Sequence, residues 1–131
     1  MLRKYLTLSI FTALFTSCVQ ETDPNNDRDI FLGNWTCNEY EGDFAPQTYN
    51  IEVDAFGAGQ DVSITGLYNQ GNTFVVYGRV EGSTIFISTQ TIDGITISGS
   101  GNMAASFDRV DLAFTADDGS GGDDIKATWL R

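Results

Sequence analysis

Apolar and polar residues alternate along most of the chain beyond residue 30. In Tyr49-Asn-Ile51-Glu-Val53 the apolar side chains fall at odd positions with polar ones between them. The same period of two returns in Val110-Asp-Leu112-Ala-Phe114-Thr and in Ile95-Thr-Ile97-Ser-Gly99-Ser-Gly101-Asn-Met103. Successive side chains of a strand point to opposite faces, so this period predicts strands with one buried and one wet face. No window carries capped helical spacing over more than about two turns. Pro24 and Pro46 both lie outside the alternating segments, as a strand interior requires.

Turn signals divide the pattern into eight expected strands: Phe31–Glu39, Thr48–Ala55, Val62–Tyr68, Thr73–Val80, Thr84–Thr89, Ile95–Ala104, Arg109–Ala116 and Ile125–Arg131. The breaks between them, such as Glu81-Gly-Ser83 and Thr91-Ile-Asp-Gly94, are short. Connections of this kind join antiparallel neighbours and cannot make parallel crossovers. The expected architecture is therefore all-β, a small eight-stranded antiparallel up-and-down barrel, with a β-sandwich or a partly open barrel as the alternative. Closure removes both sheet edges and leaves an interior wide enough for side chains or one small ligand.

The first 17 residues follow a different pattern, with Arg3 and Lys4 ahead of an apolar run from Tyr5 to Phe15. Charge, a short apolar stretch and small residues in that order predict a secretory signal. The run is about half the length needed to span a bilayer. Thr16 and Ser17 lead straight into Cys18, and Leu14 to Cys18 resembles the lipobox of bacterial lipoproteins, with Phe15 where an aliphatic residue is usual. The resemblance implies that the Cys18 thiol carries a diacylglycerol and anchors the chain to a lipid bilayer. After it, Val19 to Asp29 has no further aliphatic residue and is rich in Asp, Asn and Glu, a composition that predicts a flexible acidic tether. The expected division is a signal peptide over 1–17, lipidated cysteine and tether over 18–29, and a barrel domain over 30–131. The acidic stretch Gln20-Glu21-Thr22-Asp23 is similar to the export signal of surface lipoproteins in the Bacteroidota. It implies an outer-membrane lipoprotein that faces the exterior rather than the periplasm.

Charge narrows the partners. The chain holds 7 basic and 18 acidic residues and no His; without the leader, 5 basic residues remain against 18 acidic ones, a net charge of −13. A field of that sign disfavours nucleic acid and anionic headgroups, which need Lys or Arg. Lacking His, the chain has no Ser-His or Cys-His nucleophile pair, and zinc loses its commonest nitrogen ligand. No catalytic residue and no cofactor is expected, and the chain is not read as an enzyme. Cys37 reads as a small buried hydrophobe, and Glu39, Glu41 and Asp43 read as a solvated turn rather than a catalytic carboxylate pair. The loop Ala116-Asp-Asp-Gly-Ser-Gly-Gly-Asp-Asp124 supplies the oxygen ligands that calcium takes. Asp117, Asp118, Asp123 and Asp124 are thus candidates for a weak calcium site, beside the plainer reading of a solvated hairpin tip.

The first and last strands carry the residues that close the barrel. Gly33-Asn-Trp35 opens the first strand, and the last puts Ile125, Ala127, Trp129 and Arg131 on one face. This resembles the lipocalin and calycin barrels, where a Gly-x-Trp packs beneath a basic residue from the last strand, and implies that Arg131 meets Gly33 and Trp35. The whole chain is similar to small lipocalin-like lipoproteins of Bacteroidota. Two functions follow. In one, the barrel binds an apolar or amphipathic small molecule through Phe74, Val76, Ile85, Ile87, Phe114 and Trp129. In the other, the barrel is filled and the protein is structural or works through its surface. The small interior-phase residues Gly66, Gly78, Gly99, Gly101, Ala116 and Ala127 either leave a cavity or let the strands coil tightly.

Overall fold

A computed structural model describes residues 27–131. Eight strands, β1 (Gly33–Glu41), β2 (Gln47–Ala55), β3 (Asp61–Thr65), β4 (Val75–Glu81), β5 (Thr84–Ile92), β6 (Ile95–Met103), β7 (Arg109–Asp117) and β8 (Gly122–Leu130), form one closed barrel in sequential order. Every neighbouring pair is antiparallel, and β1 completes the ring against β8 with Cys37 opposite Trp129. The fold is the up-and-down barrel, and the alternatives of a sandwich or an open sheet fall away with that closure. Leader, Cys18 and most of the tether lie outside the described residues.

The strand limits depart from expectation where the backbone turns left-handed or helical. Phe31 belongs to a short 3-10 turn, Asp27–Phe31, so β1 begins at Gly33. Gly33 has φ 118 with nothing within 4 Å of a notional Cβ, so glycine stands there for its backbone and not for space. β3 stops at Thr65 because Tyr68 and Asn69 adopt φ 60 and 57 within a second 3-10 turn, Leu67–Asn69. β5 runs further than expected, to Ile92, and is joined to β6, which begins at Ile95 as expected, by Asp93-Gly94 at φ 51 and 79. Two successive positive φ values match the twist of a two-residue hairpin. The wall is thinnest between β4 and β5, which pair only over Arg79–Glu81. There the Gln90 amide takes the place of a strand, accepting from Tyr77 N–H at 2.9 Å and donating to Tyr77 C=O at 2.8 Å.

The 3-10 turn Asp27–Phe31 closes one end of the barrel. Asp27–Asp29, expected in the tether, are tied to that end. Arg28 Nη1 donates to the carbonyls of Gly57 (3.0 Å) and Asp61 (3.1 Å), and Asp27 accepts from Gly82 N–H at 3.0 Å. Phe31 is fully buried and its carbonyl accepts from Trp35 Nε1 at 2.8 Å. Above this plug the inward faces of all eight strands share one apolar core.

Candidate functional site

The interior has two halves, set by where each strand's inward phase runs. At the closed end Trp35 and Trp129 pack at 6.2 Å between ring centroids, tilted by 46°. Arg131, expected near Gly33 and Trp35, has its guanidinium carbon 4.0 Å from the Trp35 ring centroid. The same guanidinium donates to the carbonyls of Ile30 (2.8 Å), Leu32 (3.0 Å) and Phe107. It latches β8, the 3-10 turn and the β6–β7 loop together.

Phe74, Val76, Ile85, Ile87, Phe114 and Trp129, the six expected lining residues, all point inward and are at most 3% exposed. They belong to the common core and not to a separate chamber. The small residues do not leave space beside them. A Cβ on Gly99 would sit 2.5 Å from Ala113 O and from Phe114 Cβ; one on Gly101 would meet Leu112 Cδ1 at 2.8 Å; one on Gly78 would meet Phe86 O at 3.0 Å. Ala116 and Ala127 are likewise buried. A closed eight-stranded barrel is wide enough in principle to shelter one small apolar molecule. In this one the strands have moved into the volume that the glycines release. Two grooves of about 410 and 370 Å³ lie on the outer wall, the first at Ser98, Ala113, Thr115 and Lys126, the second at Phe56, Tyr77, Arg79 and Gln90. A third, of about 190 Å³, opens at the far end, between Phe44, Gln47, Tyr68, Asn69 and Gln70.

That far end, the mouth, holds the interior's polar groups. Continuing inward from Trp35 and Cys37, β1 next presents Glu39, which is 3% exposed. Continuing back from Trp129, Ala127 and Ile125, β8 presents Asp123, 4% exposed. Asp123 is well served: Tyr68 Oη donates to it at 2.7 Å and Asp43 N–H at 2.9 Å. Glu39 is half served, because Gln47 Nε2 donates to Oε2 while Oε1 has no hydrogen-bond partner. Tyr49 Oη accepts from Tyr68 N–H at 2.9 Å and lies beside both Glu39 and the Cys37 thiol. Trp129 Nε1 also lacks a partner; the Cys37 sulfur is its polar neighbour.

Burial dominates the ionisation of this cluster. It raises the Glu39 carboxyl above the usual range, with the Asp123 charge adding and the Gln47 bond opposing. It pushes the Cys37 thiol up to about 12, which makes the thiol inert near neutrality. The Tyr68 hydroxyl rises for the same reason, reinforced by its donation to Asp123. Glu39, expected on a solvated turn, is therefore a correction: it lies on the inner face of β1, while Glu41 turns outward to Lys126 at 3.5 Å.

The four aspartates of the acidic loop are not brought together. The pleat of β8 turns Asp123 into the barrel and Asp124 to solvent. Asp117 instead accepts from Gly119 N–H at 2.8 Å and Asp118 from Ser120 N–H at 3.0 Å, holding the loop's own turn. Two Ser120 bonds lower the Asp118 carboxyl. Among the described residues no three acidic or thiol side chains converge as metal ligands.

No protein-family model matches the chain, and no curated protein matches it. Among solved structures, a redesigned β-barrel is similar to 82% of this chain over 96% of its own length, at 15% identity and a TM-score of 0.52. That likeness is one of fold alone.

Proposed function

We propose that the protein is a lipid-anchored lipoprotein of the outer membrane, displayed outward, whose barrel is filled by its own side chains. It works without catalysis, through its exterior and its mouth. The observation that carries the filled interior is the burial of its lining: Phe74, Val76, Ile85, Ile87, Phe114 and Trp129 are at most 3% exposed and join one apolar core. The anchor draws on the order of Arg3, Lys4, the apolar run and Cys18, and the outward address on Gln20-Glu21-Thr22-Asp23. A diacylated cysteine, usually joined by a third chain on the amino terminus, exceeds the two-signal requirement for stable membrane attachment.

A second reading, a carrier of one apolar molecule along Phe74, Val76, Ile85, Ile87, Phe114 and Trp129, draws on the unpartnered Trp129 Nε1. A ligand carbonyl would satisfy that donor. Titrating the protein with fatty acids while following Trp emission separates the two. The filled barrel gives a flat response, and a saturable spectral shift supports the carrier. Mass spectrometry of the mature amino terminus tests the anchor: a diacylated peptide beginning at Cys18 is expected, and an unmodified one would overturn it.

A further inference from the structure

The residues that lead from the tether into β1 are pinned at the closed end. Asp27 accepts from Gly82 N–H on the β4–β5 connection, and Arg28 donates to the carbonyls of Gly57 and Asp61 at the β2–β3 connection. Eight residues, Val19 to Asn26, stand between Cys18 and Asp27, and fully extended they reach at most about 30 Å. A nine-residue strand such as β1 is itself about 30 Å long. Turning the mouth to a bilayer that holds Cys18 would consume most of that reach, whereas the closed end meets it directly.

The closed end also carries apolar side chains that the core does not use. Phe107 in the β6–β7 connection and Phe56 just after β2 are each 51% exposed, and Leu130 at the end of β8 is 41% exposed. Ile30 and Leu32, only partly buried, join Phe107 around the Arg131 guanidinium, which takes all three carbonyls. Phe107 stands at φ 60, a left-handed conformation that is an outlier for a bulky side chain. Arg131 holds its carbonyl, and its own N–H donates to Ala104 O at 2.9 Å. Backbone strain fixed in this way marks sites of contact more often than sites of packing. At the mouth, by contrast, the exposed Phe44 has a partner in Tyr68, edge-on at 5.7 Å between centroids.

Charge separates the two ends in the same sense. Four of the five basic side chains beyond the leader, Arg28, Arg79, Arg109 and Arg131, lie in the half of the barrel toward the closed end. None of the four connections at the mouth contains a basic residue, while Asp43, Asp93, Asp117, Asp118, Asp123 and Asp124 stand in or beside them. A layer of headgroup phosphates therefore repels the mouth more than the closed end. At the closed end Asp27, Asp29 and Asp108 are interspersed with the arginines. A rim of mixed sign matches a zwitterionic headgroup, with guanidinium to phosphate and carboxylate to ammonium.

We propose that the closed end docks on the zwitterionic lipid surface that holds the Cys18 anchor, with Phe107, Leu130 and Phe56 in the headgroup boundary and the mouth turned away. This docking rests on the lipid anchor proposed above and gives it an orientation. Apolar side chains at that depth add buried area to the anchor, and the mouth becomes the surface that the exterior meets.

The full-length acylated chain in phosphatidylcholine vesicles tests it through Trp emission. Phe107→Trp and Leu130→Trp place a reporter at the closed end, and Phe44→Trp places one at the mouth. Each is read as the difference from wild type, whose Trp35 and Trp129 are buried. Exchanging ordinary phosphatidylcholine for its bromine-labelled form quenches the added closed-end emission at least twofold and leaves the added mouth emission unchanged. Should one closed-end variant fail to fold, the other decides. A chain that does not float with the vesicles would overturn the anchor and the docking together. A chain that floats while its closed-end reporter is quenched no more than the mouth reporter would overturn the docking and leave the anchor standing.

Discussion

The two ends of this barrel are made from the same strands and differ in how completely they satisfy their polar atoms. At the closed end Trp35 donates to Phe31, Arg131 saturates three carbonyls, and the 3-10 turn is stitched to the β2–β3 and β4–β5 connections. At the mouth a buried carboxylate keeps one oxygen without a partner and shares its surroundings with a second carboxylate. An unmet polar atom in a buried site costs about 1–3 kcal/mol. The closed end is where this fold is stabilised, and the mouth is where it leaves a buried polar atom unmet.

The contrast predicts unequal sensitivity to substitution, measurable by denaturant unfolding. Trp35→Ala has the largest effect, about 3–5 kcal/mol, because it removes the ring under Arg131 and the donor to Phe31 together. Gly99→Ala follows at about 1–3 kcal/mol, since its methyl would land 2.5 Å from backbone. A neutral result at Gly99 would show that β6 and β7 do not approach each other as closely as the structure has them. Arg131→Gln loses about 1–2 kcal/mol, discounted because the side chain is partly solvated. Asp118→Ala, in the exposed acidic loop, leaves the unfolding midpoint unchanged. A loss there would show that the mouth's loops are as tightly coupled to the core as the closed end.

The barrel was legible because a period of two over eight segments leaves few antiparallel solutions, and short breaks select the meander. Gly33, Trp35 and Arg131 were legible as a group because the first and last strands of such a barrel must meet. The plug was not. Phe31 continues an apolar run into β1, and only the backbone shows it folding back beneath Trp35. The mouth was missed for a subtler reason. Glu39 sits next to the turn residues Glu41 to Pro46 and Asp123 next to the Gly-Ser-Gly-Gly tip, so both read as parts of solvated turns. Counting by twos from Trp35 and Cys37, and back from Trp129 and Ile125, would have placed both inside. The interior glycines stayed ambiguous because a missing side chain reads the same whether its space is empty or occupied by a neighbouring strand.

The most direct test of the difference between the ends is the pH dependence of stability of the wild-type chain and of Glu39→Gln. Burial raises the Glu39 carboxyl in the folded state, so the folded form favours the protonated acid. Its contribution is then fully present below the unfolded value, about 4.3, and is lost as pH rises through the raised folded value. Asp123, Tyr49, Gln47 and Cys37 face the same group in both proteins, and the difference between the two curves isolates Glu39. The expected result is a variant more stable than wild type by about 1 kcal/mol at pH 8, with the gap closing toward pH 4. A variant less stable than wild type at pH 8, or a gap that does not change with pH, would contradict the account.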